Sequence, residues 1–123
     1  MKKHVLFCSV LFVLVLGIFA SESRVSAQDD IAGGYGDTSV RDKNVRKAAA
    51  FAVNQQSKRV RPDYRLISIR KAEIQVVAGL NYRICMNVRN DRGRVSTVTA
   101  VVYKSLKNRM SLTRWRAGGC REL

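Results

Sequence analysis

The sequence predicts an α+β fold, one long helix wrapped by an antiparallel β-sheet. Three observations predict it. Small apolar residues recur at three- and four-residue intervals from Val45 to Val53, the period of a helix. From Tyr64 onward the pattern is extended and apolar residues tend to alternate with polar ones, the period of a half-buried strand. Two clusters, Asn90-Asp91-Arg92-Gly93 and Lys107-Asn108-Arg109, interrupt that region with turn chemistry, so consecutive strands pair antiparallel.

The 123 residues have room for one domain, and the first 27 are set apart from it. Met1-Lys2-Lys3-His4 precedes an apolar run from Val5 to Ala20, and a polar stretch then ends in Val25-Ser26-Ala27. That order is a secretory signal peptide, with cleavage after Ala27 or, as the second choice, after Ala20. Sixteen residues fall short of the roughly 20 that a spanning helix needs, which argues against a membrane anchor. The expected organisation is a signal peptide over 1–27 and one domain over 28–123, secreted to the extracellular space.

Residues 28–37 are rich in Gly and Asp, with Ile31, Ala32 and Tyr35 as their apolar members, and predict a mobile arm. A helix opens at Thr38-Ser39, with Ser39 placed to cap the amide of Asp42 and the Asp42 carboxylate to reach back. Val45, Ala48, Ala49, Ala52 and Val53 form a narrow stripe that lets a sheet approach closely. The helix is expected to fray near Gln55–Ser57, before the basic run Lys58-Arg59-Val60-Arg61, with Pro62 closing it.

Four strands follow, over residues 65–77, 80–89, 94–104 and 110–116. The second alternates most clearly, with Tyr82, Ile84, Met86 and Val88 on a buried face and Asn81, Arg83, Cys85 and Asn87 on a wet one. The first strand loses its alternation around Arg70 to Glu73, which signals a bulge.

The inventory excludes most chemistry. The sole histidine, His4, lies in the leader, so no Ser-His-Asp or Cys-His pair can form in the mature chain. No paired carboxylates, Gly-rich phosphate loop or zinc-ligand set appears either. The chain is read as a binding protein, with no catalytic residue, no metal and no cofactor.

Removing Lys2, Lys3, Arg24 and Glu22 with the leader takes 23 basic and 9 acidic side chains to 20 and 8, a net +12. Such a field attracts any polyanion and by itself specifies none, and it also serves solubility. Cys8 leaves with the leader, so Cys85 and Cys120 are the two thiols of an oxidising compartment. One disulfide is expected, closing a loop of about 35 residues; an intermolecular bridge is the alternative.

An arm with Ile31-Ala32-Gly33-Gly34, a helix carrying Ala48 to Val53, and the hairpin pentapeptide Gln75-Val76-Val77-Ala78-Gly79 followed by Leu80-Asn81-Tyr82 together resemble the cystatin family. The resemblance covers residues 31 to about 115. It implies a cystatin-like fold and a reversible competitive inhibitor of papain-like cysteine proteases such as cathepsins, not an enzyme. By resemblance the protease-binding residues are Ile31, Ala32 and Gly33 in the arm, Gln75, Val76, Val77, Ala78 and Gly79 in the first hairpin, and Leu106 in the second. Leu106 stands where the family carries a Pro-Trp pair, and Tyr103-Lys104-Ser105-Leu106 looks more like the stefin branch. Gln56-Ser57-Lys58-Arg59 replaces the Ser-Asn motif that serves legumain inhibition in some members, so no legumain site is expected. Secreted cystatins usually have two disulfides near the C-terminal hairpins, whereas Cys85 falls mid-strand.

The alternative implied by charge is a basic cystatin-fold binding or antimicrobial protein acting on heparin-like polyanions or membranes. The expected state is a monomer, with a domain-swapped dimer as the outcome if strain at Val77 opens the first hairpin.

Overall fold

A computed structural model describes residues 33–120; the expected signal segment and the arm residues Ile31 and Ala32 lie outside the described residues. The chain runs through β1 (Tyr35–Thr38), α1 (Lys43–Arg59), β2 (Tyr64–Val77), β3 (Gly79–Asn90), β4 (Val95–Lys104) and β5 (Met110–Ala117). The strands form one antiparallel sheet in the order β1-β2-β3-β4-β5, and α1 packs across one of its faces.

The helix buries the expected stripe, Val45, Ala48, Ala49, Ala52 and Val53. Three alanines leave little bulk between helix and sheet, so the sheet's larger side chains, Tyr82, Ile84, Met86, Val88, Val98, Val102 and Leu112, fill the layer.

Both helix ends differ from expectation. The N-cap is Asp42, whose carboxylate accepts from the amides of Asn44 at 2.8 Å and Val45 at 3.1 Å. Ser39 instead serves the preceding turn: its Oγ accepts from the Arg41 amide, and its carbonyl accepts from the Asp42 amide. A charged cap meets the helix dipole better than a hydroxyl, and starting at Asp42 frees Val40 to pack on the core from outside the helix. At the other end the helix continues past Ser57 through Lys58 and Arg59, whose cations face the negative end of the dipole.

The first strand's broken alternation has a geometric cause. Register shifts between Leu66 and Ser68 and between Ile69 and Lys71 leave Ile67 and Arg70 as extra residues. Each removes one residue from the pairing, so Leu66, Ile69 and Ala72 all oppose helix-facing residues of β3, at Val88, Met86 and Ile84. Two bulges thereby bend β2 around the helix. A third irregularity, between Val101 and Val102, sets Thr113 outside the β4–β5 pairing, and its hydroxyl donates to the Val101 carbonyl at 3.1 Å.

The expected mobile arm is partly a strand. Tyr35–Thr38 pairs with Ala72–Gln75 and completes a fifth strand. Its YGDT sequence has little strand character; the free backbone groups along the edge of β2 give it the conformation.

The outer face of β3 is not simply wet. Cys85, and Thr99 beside it on β4, are buried where the tail folds across the sheet and Cys120 bridges to Cys85 within the chain, with a Cα–Cα separation of 5.2 Å, and Arg83 is buried against Tyr35 and Glu73. Thr99 Oγ1 donates to the Gly119 carbonyl at 2.9 Å, which pins the same tail. Trp115, on the helix side of β5, lies with its ring 5.5 Å from that of Tyr64 and packs against the core.

Candidate functional site

Antiparallel pairing brings three of the predicted segments to one end of the sheet. β2 and β3 turn there at Ala78, with Val77 opposite Gly79. Leu80 pairs with Lys104, so β4 ends beside that turn and the 105–109 loop follows it. β1 begins at Tyr35 opposite Gln75, so Gly33 and Gly34 enter the sheet at this same end.

The resulting edge exposes apolar side chains at the first hairpin and on the 105–109 loop. Val76 is 68% exposed, Val77 39% and Leu106 81%, all against the rule that large apolar side chains of this chain are mostly covered. No side chain of the stretch 75–79 carries charge. The loop differs from the hairpin in charge, since Leu106 is flanked by Lys104, Lys107 and Arg109.

Each turn is held by an identifiable residue. Gly79 has φ +112°, and a Cβ there would lie 2.3 Å from the Lys104 carbonyl oxygen. Only glycine lets the first hairpin approach the end of β4 this closely. Val77 is not strained in that way, because Asn108, at φ 61°, is the one non-glycine with positive φ among the described residues. Left-handed backbone strain, one way to favour opening the hairpin for domain swapping, is therefore not found at Val77. Tyr103 reaches back from β4, and its hydroxyl donates to the Ala78 carbonyl at 2.6 Å, coupling the second hairpin to the tip of the first.

Gln75 acts as a strut. Its Nε2 donates to the Gly33 carbonyl, and its Oε1 accepts from Asn81 Nδ2 at 2.8 Å. Both ends of the side chain are thus engaged within the protein, tying the arm to the first hairpin. Sequence reasoning placed Gln75 in the contact surface and missed this positioning role.

Behind the strut lies a charged cluster that sequence reasoning also missed. Arg83 makes a bidentate pair with Glu73, at 2.6 and 2.9 Å, and its guanidinium stacks 4.0 Å from the centre of the Tyr35 ring. Lys71 joins Glu73 at 3.3 Å and Asp37 at 3.7 Å. Tyr35 and Asp37 belong to β1, so the cluster clamps β1, and the arm leading into it, onto the sheet. Burial raises the Tyr35 phenol above its ordinary value, which keeps a neutral ring under the guanidinium. The signal available in the sequence was the alternation of charged residues at Lys71, Glu73 and Arg83, but their partners become visible only once the β2–β3 register is known.

The hydrogen bonds from Arg83, followed by those from Lys71, hold the Glu73 carboxyl below its ordinary value of 4.5 despite its burial. A depressed carboxyl stabilises the fold fully above that ordinary value, and the contribution disappears as pH falls through the folded value. Acid titration of the wild type should therefore show a stability loss beginning near pH 4.5 and deepening below it. Glu73→Gln should be less stable at neutral pH by about 1–3 kcal/mol and lose less on acidification, as read by urea unfolding at pH 7 and pH 3. Parallel pH profiles for the two proteins would contradict this assignment.

Among the described residues no group of three or more His, Cys, Asp or Glu is placed to hold a metal. What the arrangement offers is a contact surface: an exposed apolar hairpin, a glycine arm beside it and Leu106 on the neighbouring loop.

Residues 38–117 match the model of a family described as aspartic acid proteinase inhibitor. The chain is 37% identical over 78 residues to L-cystatin of Tachypleus tridentatus, covering 62% of this chain and 54% of that protein, so it spans about half the length of that relative. It is 28% identical over 88 residues to cysteine proteinase inhibitor 8 of Oryza sativa subsp. japonica, covering 70% and 72%. Its fold is similar to the crystal structure of a salivary cystatin from the soft tick Ornithodoros moubata, with a TM-score of 0.62 at 23% identity over 70% of this chain and 97% of that one. A matching family model over most of the chain, cystatin relatives and a shared helix-on-sheet fold agree: the chain belongs to the cystatin family, whose members are protease inhibitors and not enzymes.

Proposed function

We propose that this chain is a reversible competitive inhibitor of papain-like cysteine proteases of the cathepsin type, secreted after removal of residues 1–27, and that it acts as a monomer. The observation that carries the reading is the exposed, uncharged first hairpin, Gln75 to Gly79, with the arm on one side and Leu106 on the other. A substrate cleft with apolar walls accepts such an edge because no charge is buried without a partner. Val76, Val77 and Ala78 enter the cleft, Ile31 and Ala32 with Gly33 extend the contact along it, and Leu106 supports the far side. The wedge covers the catalytic thiol without presenting a scissile carbonyl in attack geometry, so it is not cleaved.

A second reading replaces the target by an aspartic protease. It is favoured by the description of the family matched over residues 38–117, and by the three cations around Leu106, which suit an acidic surface better than an apolar wall. Titration of papain and of pepsin with the purified chain separates the two. Papain activity should fall competitively at sub-micromolar inhibitor while pepsin is unaffected. Unchanged papain activity at micromolar inhibitor would overturn the first reading, and inhibition of pepsin alone would establish the second.

A further inference from the structure

The end of the molecule opposite the hairpin edge is its most basic region. The end of α1 supplies Lys58 and Arg59, the link to β2 supplies Arg61, the start of β2 supplies Arg65, the end of β3 supplies Arg89, and the turn after it supplies Arg92 and Arg94. Tyr64 pairs with Asn90, Arg65 with Arg89, and the Asp91 amide donates to the Asp63 carbonyl, so these segments converge in one place.

Seven cations there face two carboxylates, Asp63 and Asp91. Asp63 is engaged by Arg61 at 3.5 Å, and no carboxylate of the described residues lies within ion-pair distance of the other six. The helix dipole accounts for Lys58 and Arg59. It does not account for Arg65 and Arg89, which stand directly opposite each other on neighbouring strands, an arrangement of like charges that costs stability. An anion bridging them reverses that cost.

We infer that this pole binds a linear sulfated or carboxylated polysaccharide while the hairpin edge remains free for a protease. Guanidinium groups match the oxygens of such groups in a forked geometry that lysine does not reproduce. The pole lacks the features of single-stranded nucleic-acid binders and of membrane-inserting surfaces. Its one aromatic residue, Tyr64, is half-buried against Trp115 and offers no stacking platform for bases, and Val60 and Val95 are isolated apolar side chains, too little to enter a bilayer. β2 spans the two ends with 14 residues, roughly 40 Å at the strand rise, several times the screening length at physiological salt. A polymer held at one end therefore neither covers the other nor dominates its field, and inhibition and polyanion binding become concurrent properties instead of competing descriptions.

Heparin serves as the probe, on an affinity column and in a salt series with the full mature chain. Arg59, Arg65, Arg89 and Arg94 are changed together to Gln, and a control carries Gln at Arg41, Lys43, Arg46 and Lys47, an equal loss of charge on the first half of α1 and the turn before it. The pole variant should elute at much lower salt, and the slope of log K against log salt should fall by about three, at 0.7–0.9 per contact removed. The control should move little. If the fourfold variant does not fold, the pair Arg92→Gln and Arg94→Gln, on an exposed turn, should reduce the slope by about half as much. Equal displacement of pole and control variants overturns the inference, as does tighter retention of the wild type on duplex DNA or anionic vesicles than on heparin. The concurrent binding rests on the proposed inhibition and has its own arm: saturating heparin should leave the papain inhibition constant unchanged, and its loss overturns the separation of the two surfaces. Failure to inhibit papain without heparin counts against the proposed function alone.

Discussion

Gly79→Ala is expected to be among the most damaging substitutions of a surface turn in this protein. Its Cβ would lie 2.3 Å from the Lys104 carbonyl oxygen and 3.1 Å from the Tyr103 ring, at a φ of +112° that side chains rarely adopt. Backbone strain of about 1–3 kcal/mol and crowding of similar size act together. The sum, on the order of 2–6 kcal/mol, is a large part of the roughly 5–15 kcal/mol that holds a small domain. Because the clash is with backbone, relief requires the two hairpins to move apart, which breaks the Tyr103–Ala78 hydrogen bond and displaces Val76 and Val77 relative to Leu106. Thermal unfolding and papain inhibition should therefore weaken together. Gly36→Ala is the control, since a Cβ there meets nothing within 4 Å and φ is unexceptional. Equal effects at both positions would show that the close approach does not govern the hairpins.

Loss of the Cys85–Cys120 bridge should cost stability and spare the edge. It closes a loop of 35 residues, for which chain entropy gives about 3–4 kcal/mol. In a domain of this size that shifts the melting temperature by on the order of 15–25 °C. Cys85→Ala with Cys120→Ser, and the wild type in reductant, should show the same shift. The bridge sits mid-sheet, where Cys85 opposes Lys71 and Thr99, six residues from Gly79 and roughly 20 Å from the hairpin tip. Inhibition measured well below the melting transition should change less than threefold. An unshifted melting temperature would contradict the stabilising role of the tail, and a large loss of inhibition would contradict its separation from the edge.

The helix and the four long strands were legible because burial imposed a period on them: Val45 to Val53 at helix spacing, and Tyr82 to Val88 at strand spacing. β1 was not, because Tyr35–Thr38 is a strand through the edge it pairs with and not through its own residues. The two bulges of β2 hid the alternation of its core positions, which fall at every third residue, Leu66, Ile69 and Ala72, where a strand is read at every second. The N-cap was misplaced by three residues since Ser39 and Asp42 both offer capping oxygens and the choice depends on where Val40 packs. Of the candidate site, the gathering of Gln75 to Gly79 and Leu106 followed from two hairpin turns that the sequence marks, whereas Gly33 joins them through the β1 pairing that the sequence did not show. The supports beneath it did not follow, because the Gln75 strut, the Tyr103 hydrogen bond and the Arg83–Glu73–Tyr35 clamp are pairings across strands and depend on register.

In the proposed complex the exposed hairpin edge is the surface that meets the protease. This contact is tested most directly by the inhibition constant for papain of the wild type and of Val76→Asp, measured across substrate concentrations. Val76 is 68% exposed, so the substitution leaves the fold intact while placing a charge where the cleft walls would bury it. The wild type should inhibit competitively and the variant's constant should be at least thirtyfold weaker, the effect of removing about 2 kcal/mol at a central contact. Equal constants for the two proteins, with both folded, would contradict that contact.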